Sequence, residues 1–284
     1  MQLETTSPSP LLKGVYFHGC AWGIGFYIGV LQTLKEAYGV SWNQHPTFEY
    51  AGDSIGALVA IVLALGLDVA FLDQLSQSLI NRASQYPFYH LRSSDVHNEV
   101  IDTVFEEATR IHGPTVDLID LLRMRLRIGV TKYFEQHHWG MFETIDDLRN
   151  LIHGSFHIPV YCRAISHYNN HWLVDGAFSF CPHNDLFDNG AHTLVVGIVG
   201  DDDDKWCDIH PTNAYSRTQC MIPDMSQYLC MRKDGRKAAT AWLRMGGIPK
   251  IKHCRSPQRL ILAMVWVMRA VEQYVLFPYK RSCL

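Results

Sequence analysis

A chain of 284 residues with 48% hydrophobic side chains and a formal net charge of -3 can bury a sizeable core, which excludes a disordered chain and a small disulfide-stapled module. Its eight cysteines are scattered without a C-x-x-C pair, so neither a zinc knuckle nor a disulfide framework is expected, and reduced thiols in a cytoplasmic setting fit the pattern. The charge is uneven: residues 231–284 hold twelve Lys and Arg against Asp234 and Glu272, a basic end on an acidic body that suits an anionic surface or a solvated tail.

The opening "MQLETTSPSPLLKG" is polar and proline-bearing, and residues 1–13 are expected to be a disordered arm without a targeting leader. "GVYF" (14–17) is a short buried strand, and residues 24–38 form a helix with Ile28, Leu31 and Leu34 on one face. A second strand, 48–51, leads into an apolar helix over 55–67; a third helix, 68–84, carries Phe71, Leu75 and Leu79 on one side. Two more helices are expected over 95–111 and 116–126, then a strand pair within 127–142. Thr144 caps the next helix, "TIDDLRNLIHGS", where Asp146 and Asp147 favour the N-terminal dipole. "IPVYC" (158–162), "HWLVDG" and "HTLVVGIVG" supply further strands. Short apolar strands alternating with helices indicate an α/β layered domain over 14–212, followed by a basic, mainly helical extension over 213–284.

Chemistry concentrates at "FEYAGDSIGALVA" (48–60). A strand ending in G-x-S-x-G and passing straight into a helix is a nucleophile elbow: only Gly52 and Gly56 fit the turn, and Ser54 is presented at the helix N-terminus. Ser54 as an ordinary helix cap is the plain alternative. Asp53 beside it is expected to be a surface or turn residue. About 35 residues upstream, "HGCAWGIG" (18–25) is a second strand-to-helix turn, suited to receive negative charge on an attacked carbonyl oxygen or serving only as a tight connection. "LVDGAFSF" (173–180) places an acid, Asp175, at a strand end before Gly176.

A glycine-rich turn, G-x-S-x-G and D-G-A in this order resemble the patatin-like phospholipase family. "FETIDDLRNLIHGSFHIPVYC" (142–162) resembles its animal branch, which includes adiponutrin and adipose triglyceride lipase; the likeness covers 14–212. It implies a three-layer α/β/α domain with a mainly parallel central sheet. By motif, Ser54 is the nucleophile and Asp175 the base of a Ser-Asp dyad, and the backbone of Gly19, Cys20, Ala21 and Trp22 forms the oxyanion hole. No cofactor or metal is implied. The implied substrate is phospholipid or triacylglycerol, with room for a protein activator. A catalytically weak lipid-binding relative and a lipid acyltransferase are the alternatives. This turn departs from the family pattern: Ala21 and Ile24 stand where glycines are usual, Gly23 and Gly25 offer a one-residue slip, and Ala177 replaces the second glycine after Asp175.

Among fifteen histidines, His137-His138 and His167 with His171 lack the spacing of a metal site, and His183 follows Asp175 closely enough to suggest a triad; all are expected to pack or lie at the surface. The acidic run 201–204 is expected to be a solvated loop. Residues 256–277 begin with Ser256 and Pro257 and run through nine apolar residues, 260–268. They are too short to span a membrane, and suit a buried helix or one lying on a membrane or lipid-droplet surface. The basic segment has no nucleic-acid recognition motif, and the terminal "SCL" is a poor echo of a peroxisomal signal.

Overall fold

The computed structural model describes residues 12–39, 47–85, 93–132, 137–159, 167–168, 171–179, 192–198, 207–213, 215–249 and 259–271. The arm up to residue 11, the acidic run 201–204, His183, residues 282–284 and all but Ile158 and Pro159 of the expected strand 158–162 lie outside them.

The first strand, β1 (Gly14–Phe17), is buried at every position, as the continuous apolar run requires. Through a short 3-10 turn, Ala21–Gly23, it enters α1 (Ile24–Tyr38). The second strand, β2 (Glu49–Asp53), runs two residues beyond its expected end and feeds α2 (Ile55–Ala64). Helices α3 (Val69–Gln85), α4 (Ser93–His112) and the short α5 (Leu118–Arg123) follow. The helix expected over 116–126 stops early because Leu126 opens β3 (Leu126–Lys132), where it pairs with Tyr50 of β2. After β4 (His137–Gly140) comes α6 (Ile145–Ser155), where Thr144 and Asp147 form a reciprocal capping box. The chain continues through β5 (His167–Tyr168), β6 (His171–Asp175), a second 3-10 turn at Gly176–Phe178, β7 (Thr193–Val196), α7 (Arg217–Cys220), α8 (Met225–Arg244) and α9 (Arg259–Val271).

Strands β7, β1, β2 and β3 pair in parallel in that order, while β4 and β6 are antiparallel to β3 and β5 to β6. Four buried residues in each of β1 and β7 mean that both sheet faces are covered, which makes this a three-layer α/β/α fold. One register positions everything that follows. Strand β4 runs beside β3 from Ile128 to Thr131, so it overlaps the β2 contacts, ending at Gly129, and the β6 contacts, beginning at Val130. Strands β2 and β6 must therefore share the other edge of β3, end to end: Asp53 sits opposite Gly129 and Asp175 opposite Val130.

Helix α8, within the basic C-terminal stretch, lies along α1 at very close range. A Cβ on Gly29 would stand 2.0 Å from the carbonyl oxygen of Arg232, and one on Gly235 would stand 2.0 Å from that of Phe26. Its cations are partly paired inside the fold: Arg232 with Asp73 at 2.8 Å, Arg236 with Glu36 at 2.8 Å and Lys237 with Asp234 at 3.1 Å.

Candidate active site

The elbow has the geometry its glycines predict. A Cβ on Gly52 would lie 2.3 Å from the backbone of Gly56, and one on Gly56 would lie 2.1 Å from the carbonyl oxygen of Phe17. With no room for either, strand, turn and helix close on each other and Ser54 is forced to φ 52, ψ -136, a left-handed conformation that costs a non-glycine residue about 1–2 kcal/mol. The Ser54 side chain makes no capping hydrogen bond to α2, so it is not the ordinary cap that the bare motif allowed. Its amide donates instead to Ser155 Oγ at 2.8 Å, and that hydroxyl donates to the carbonyl of Gly129 at 2.8 Å. Ser155, the last residue of α6, thus ties the elbow to β3 across 101 positions of sequence, a contact with no local signal.

Asp175 ends β6, 2% exposed. Its amide donates to the carbonyl of His157 at 2.9 Å, its carbonyl accepts from Thr131 Oγ1 at 2.8 Å, and its carboxylate accepts from the amide of Ala177 at 2.9 Å. The Ser54 side chain lies close to the same carboxylate and favours its ionised form. Burial pushes the Asp175 carboxyl up to about 7, and the negative charge of Asp53 acts in the same direction; the Ser54 side chain, the hydrogen bond from the Ala177 amide and the nearness of His18 oppose them. A carboxylate held there is a far better proton acceptor at neutral pH than a solvated one. Gly176 has no room for a side chain, since its Cβ would meet the carbonyl of Gly129 at 2.5 Å and Asp53 Cβ at 2.7 Å.

Gly19 faces this pair directly: a Cβ there would stand 3.0 Å from Ser54 Cβ, 2.9 Å from Ala177 Cβ and 3.6 Å from Asp175 Oδ1. The conformational strain in the turn falls on Ala21, at φ 46, whereas Ile24 is an ordinary helical residue at φ -54. Ile24 therefore needs no glycine: it begins α1, and its side chain packs in the core. Gly25 does not restore the turn either, because it lies in α1 with its missing side chain facing the Tyr228 carbonyl at 2.4 Å. Asp53 needs the larger correction. It is fully buried, because β2 extends through it and Gly176 packs over it.

Ser54, Asp175, Gly19, Cys20 and Ala21 line one cavity of about 300 Å³, shared with His18, Ile158, Ala177, Phe178, Cys220 and Met221. Trp22 is not among its lining residues and packs partly buried against the core. The walls are mainly apolar, with the reactive groups at one spot. Sequence reasoning did not assign a role to His18, Ser155 or the Cys220–Met221 wall; only His18, polar at the end of a buried strand, carried a usable signal.

No family model and no curated protein sequence matches this chain. Among solved structures, VipD from Legionella pneumophila superposes with a TM-score of 0.51 at 12% identity, over 88% of this chain and 69% of that one. The type III effector protein ExoU gives a TM-score of 0.46 at 14% identity, over 95% of this chain and 62% of that one. ExoU in its heterodimeric complex with SpcU, from the type III secretion system of Pseudomonas aeruginosa, gives 0.44 at 14% identity, over 93% and 58%. Identities this low bear on architecture alone, and the architecture is the patatin-like α/β fold.

Proposed function

We propose that the chain is a serine acyl hydrolase of lipid carboxylic esters, working through Ser54 and Asp175 without a cofactor. The observation that carries this reading is the strained Ser54 beside a buried carboxyl that burial pushes up to about 7, the two lining one mainly apolar cavity. Asp175 accepts the hydroxyl proton as Ser54 Oγ attacks the ester carbonyl; the tetrahedral intermediate collapses, the alcohol leaves with that proton, and an acyl-serine remains. Water then repeats the sequence and releases the fatty acid. Backbone amides of the Gly19–Ala21 turn are the donors for the oxyanion, a role worth about 3–4 kcal/mol per donor in enzymes of this kind. Ala21 already adopts the left-handed backbone that glycine would supply, which supports a working turn over a blocked one.

The patatin-like fold supports a lipid ester as substrate, phospholipid or triacylglycerol, and the likeness of residues 142–162 to the animal branch belongs to the same proposal. A lipid surface is the proposed place of action. No helix of the described residues is long and apolar enough to cross a membrane, but α9 exposes Met264, Val267, Met268 and Val271 on one stripe, while Val265 and Trp266 are buried and the helix packs on the turn after Asp175.

The test is fatty-acid release from mixed phospholipid and triacylglycerol vesicles, together with fluorophosphonate labelling, by wild type, Ser54→Ala and Asp175→Asn. Release and labelling by wild type, with a loss of about 10²-fold or more in both variants, is the expected result. Equal background in three folded proteins would leave only a lipid-binding role. Transfer of the acyl group to added lysolipid or glycerol in place of water would make it an acyltransferase.

A further inference from the structure

A second polar cluster stands behind the dyad. Tyr16 donates its phenol hydrogen to Asp53 Oδ1 at 2.7 Å, and His18 Nδ1 lies 3.3 Å from the same oxygen. Asp53 is fully buried, and its Oδ2 has no hydrogen-bond partner among the described residues. A buried carboxylate with one oxygen unanswered is expensive, and this one sits one β3 position away from Asp175, where two like charges oppose each other. Among the described residues lining the cavity, His18 alone can carry a positive charge. The other groups facing the cluster are Tyr16, Tyr27 from α1, Cys20 from the turn and Cys207 after β7. Burial raises Tyr16, Tyr27 and Cys20, which keeps them neutral. Tyr27 also donates to the His18 carbonyl, which fixes the backbone beneath the imidazole, and the segment just after α6 contributes the His157 carbonyl, which accepts from the Asp175 amide.

We propose that His18 and Asp53 form a positioning ion pair, in which the His18 imidazole answers the Asp53 carboxylate behind the dyad and the balance of the two charges sets how readily Asp175 takes the hydroxyl proton. The two carboxylates thereby take different roles: Asp53 anchors the hydrogen-bonded pair, while Asp175 exchanges the proton. This rests on the hydrolase reading for its purpose, though not for its measurement.

Opposite signs make it testable. His18→Asn keeps a donor to Asp53 Oδ1 and removes the cation, so ionisation of Asp175 becomes harder; Asp53→Asn keeps an acceptor for Tyr16 and removes the anion, so it becomes easier. The readout is the carboxyl ¹³C titration of Asp175 in the full-length protein, assigned by its loss in Asp175→Asn. The midpoint is expected to move up by about one pH unit in His18→Asn and down by a similar amount in Asp53→Asn, with the acid limb of kcat/KM following. Midpoints that stay at the wild-type value, or move in the same direction, would overturn the proposal, and either variant decides alone if the other fails to fold. Midpoints that move as expected in a protein that hydrolyses no lipid ester would sink the hydrolase reading and leave the ion pair standing.

Discussion

Ala21 and Ser54 are the non-glycine residues with positive φ among those described, and both line the cavity. At Ser54 the strain is inseparable from presenting the hydroxyl. At Ala21 only a methyl group stands against it, so Ala21→Gly is expected to raise stability by about 1 kcal/mol, read as a higher urea midpoint; a lower midpoint would mean that the turn is not held in this conformation. Asp175 costs stability in a pH-dependent way. An unfolded aspartate releases its proton near pH 4, whereas the folded carboxyl keeps it to about 7, so folding takes up a proton between those values. Stability therefore falls as pH rises from 4 to 7 and stays low above. Asp175→Asn escapes this, and should be more stable than wild type at pH 8 by something on the order of 2 kcal/mol, with the gap closing near pH 4. A gap that does not vary with pH would show that the carboxyl titrates normally. The same substitution abolishes the proposed base, a trade of stability against function.

At the scale of elements, two close approaches hold the site. The elbow joins β2 to α2, and α1 is pressed against α8 where Gly29 has no space for a side chain. Gly29→Ala should force the helices apart and cost about 2–3 kcal/mol, seen as a fall of several degrees in Tm; a variant as stable as wild type would mean that α8 does not seat there. Ranges of β1 and α1 were legible in the sequence to the residue, because each apolar run is bounded by its own turn signal. The helix over 116–126 was overcalled because its period-3.6 pattern runs on through Leu126, and only pairing with Tyr50 decides that Leu126 is a strand residue. Asp53 was misplaced for the same reason: burial of a charge next to a turn is decided by the strand that continues through it.

Across the whole molecule, the basic C-terminal charge and the apolar stripe have different fates. Several α8 cations are paired within the fold and, at exposed positions, such pairs contribute little stability. The stripe on α9 is instead uncovered at Met264 and Val267, 57% and 64% exposed. Replacing both by Asp should reduce flotation with phospholipid vesicles several-fold and leave Tm within about 1 °C, since neither side chain is buried; unchanged flotation would remove α9 as the lipid-facing element. The sequence by itself determined the layered α/β class and the elbow and put forward the two residues of the proposed dyad, because these signals are local: hydrophobic period, glycine at a turn too tight for a Cβ, an acid before Gly-Ala. Only the tertiary structure decided that β2 and β6 meet end to end on β3, and with that the burial of Asp53, the carboxyl of Asp175 near neutrality, the Ser155 tie and the place of His18. Those properties depend on which distant backbones exclude water from a charge, and no short stretch of sequence carries that information.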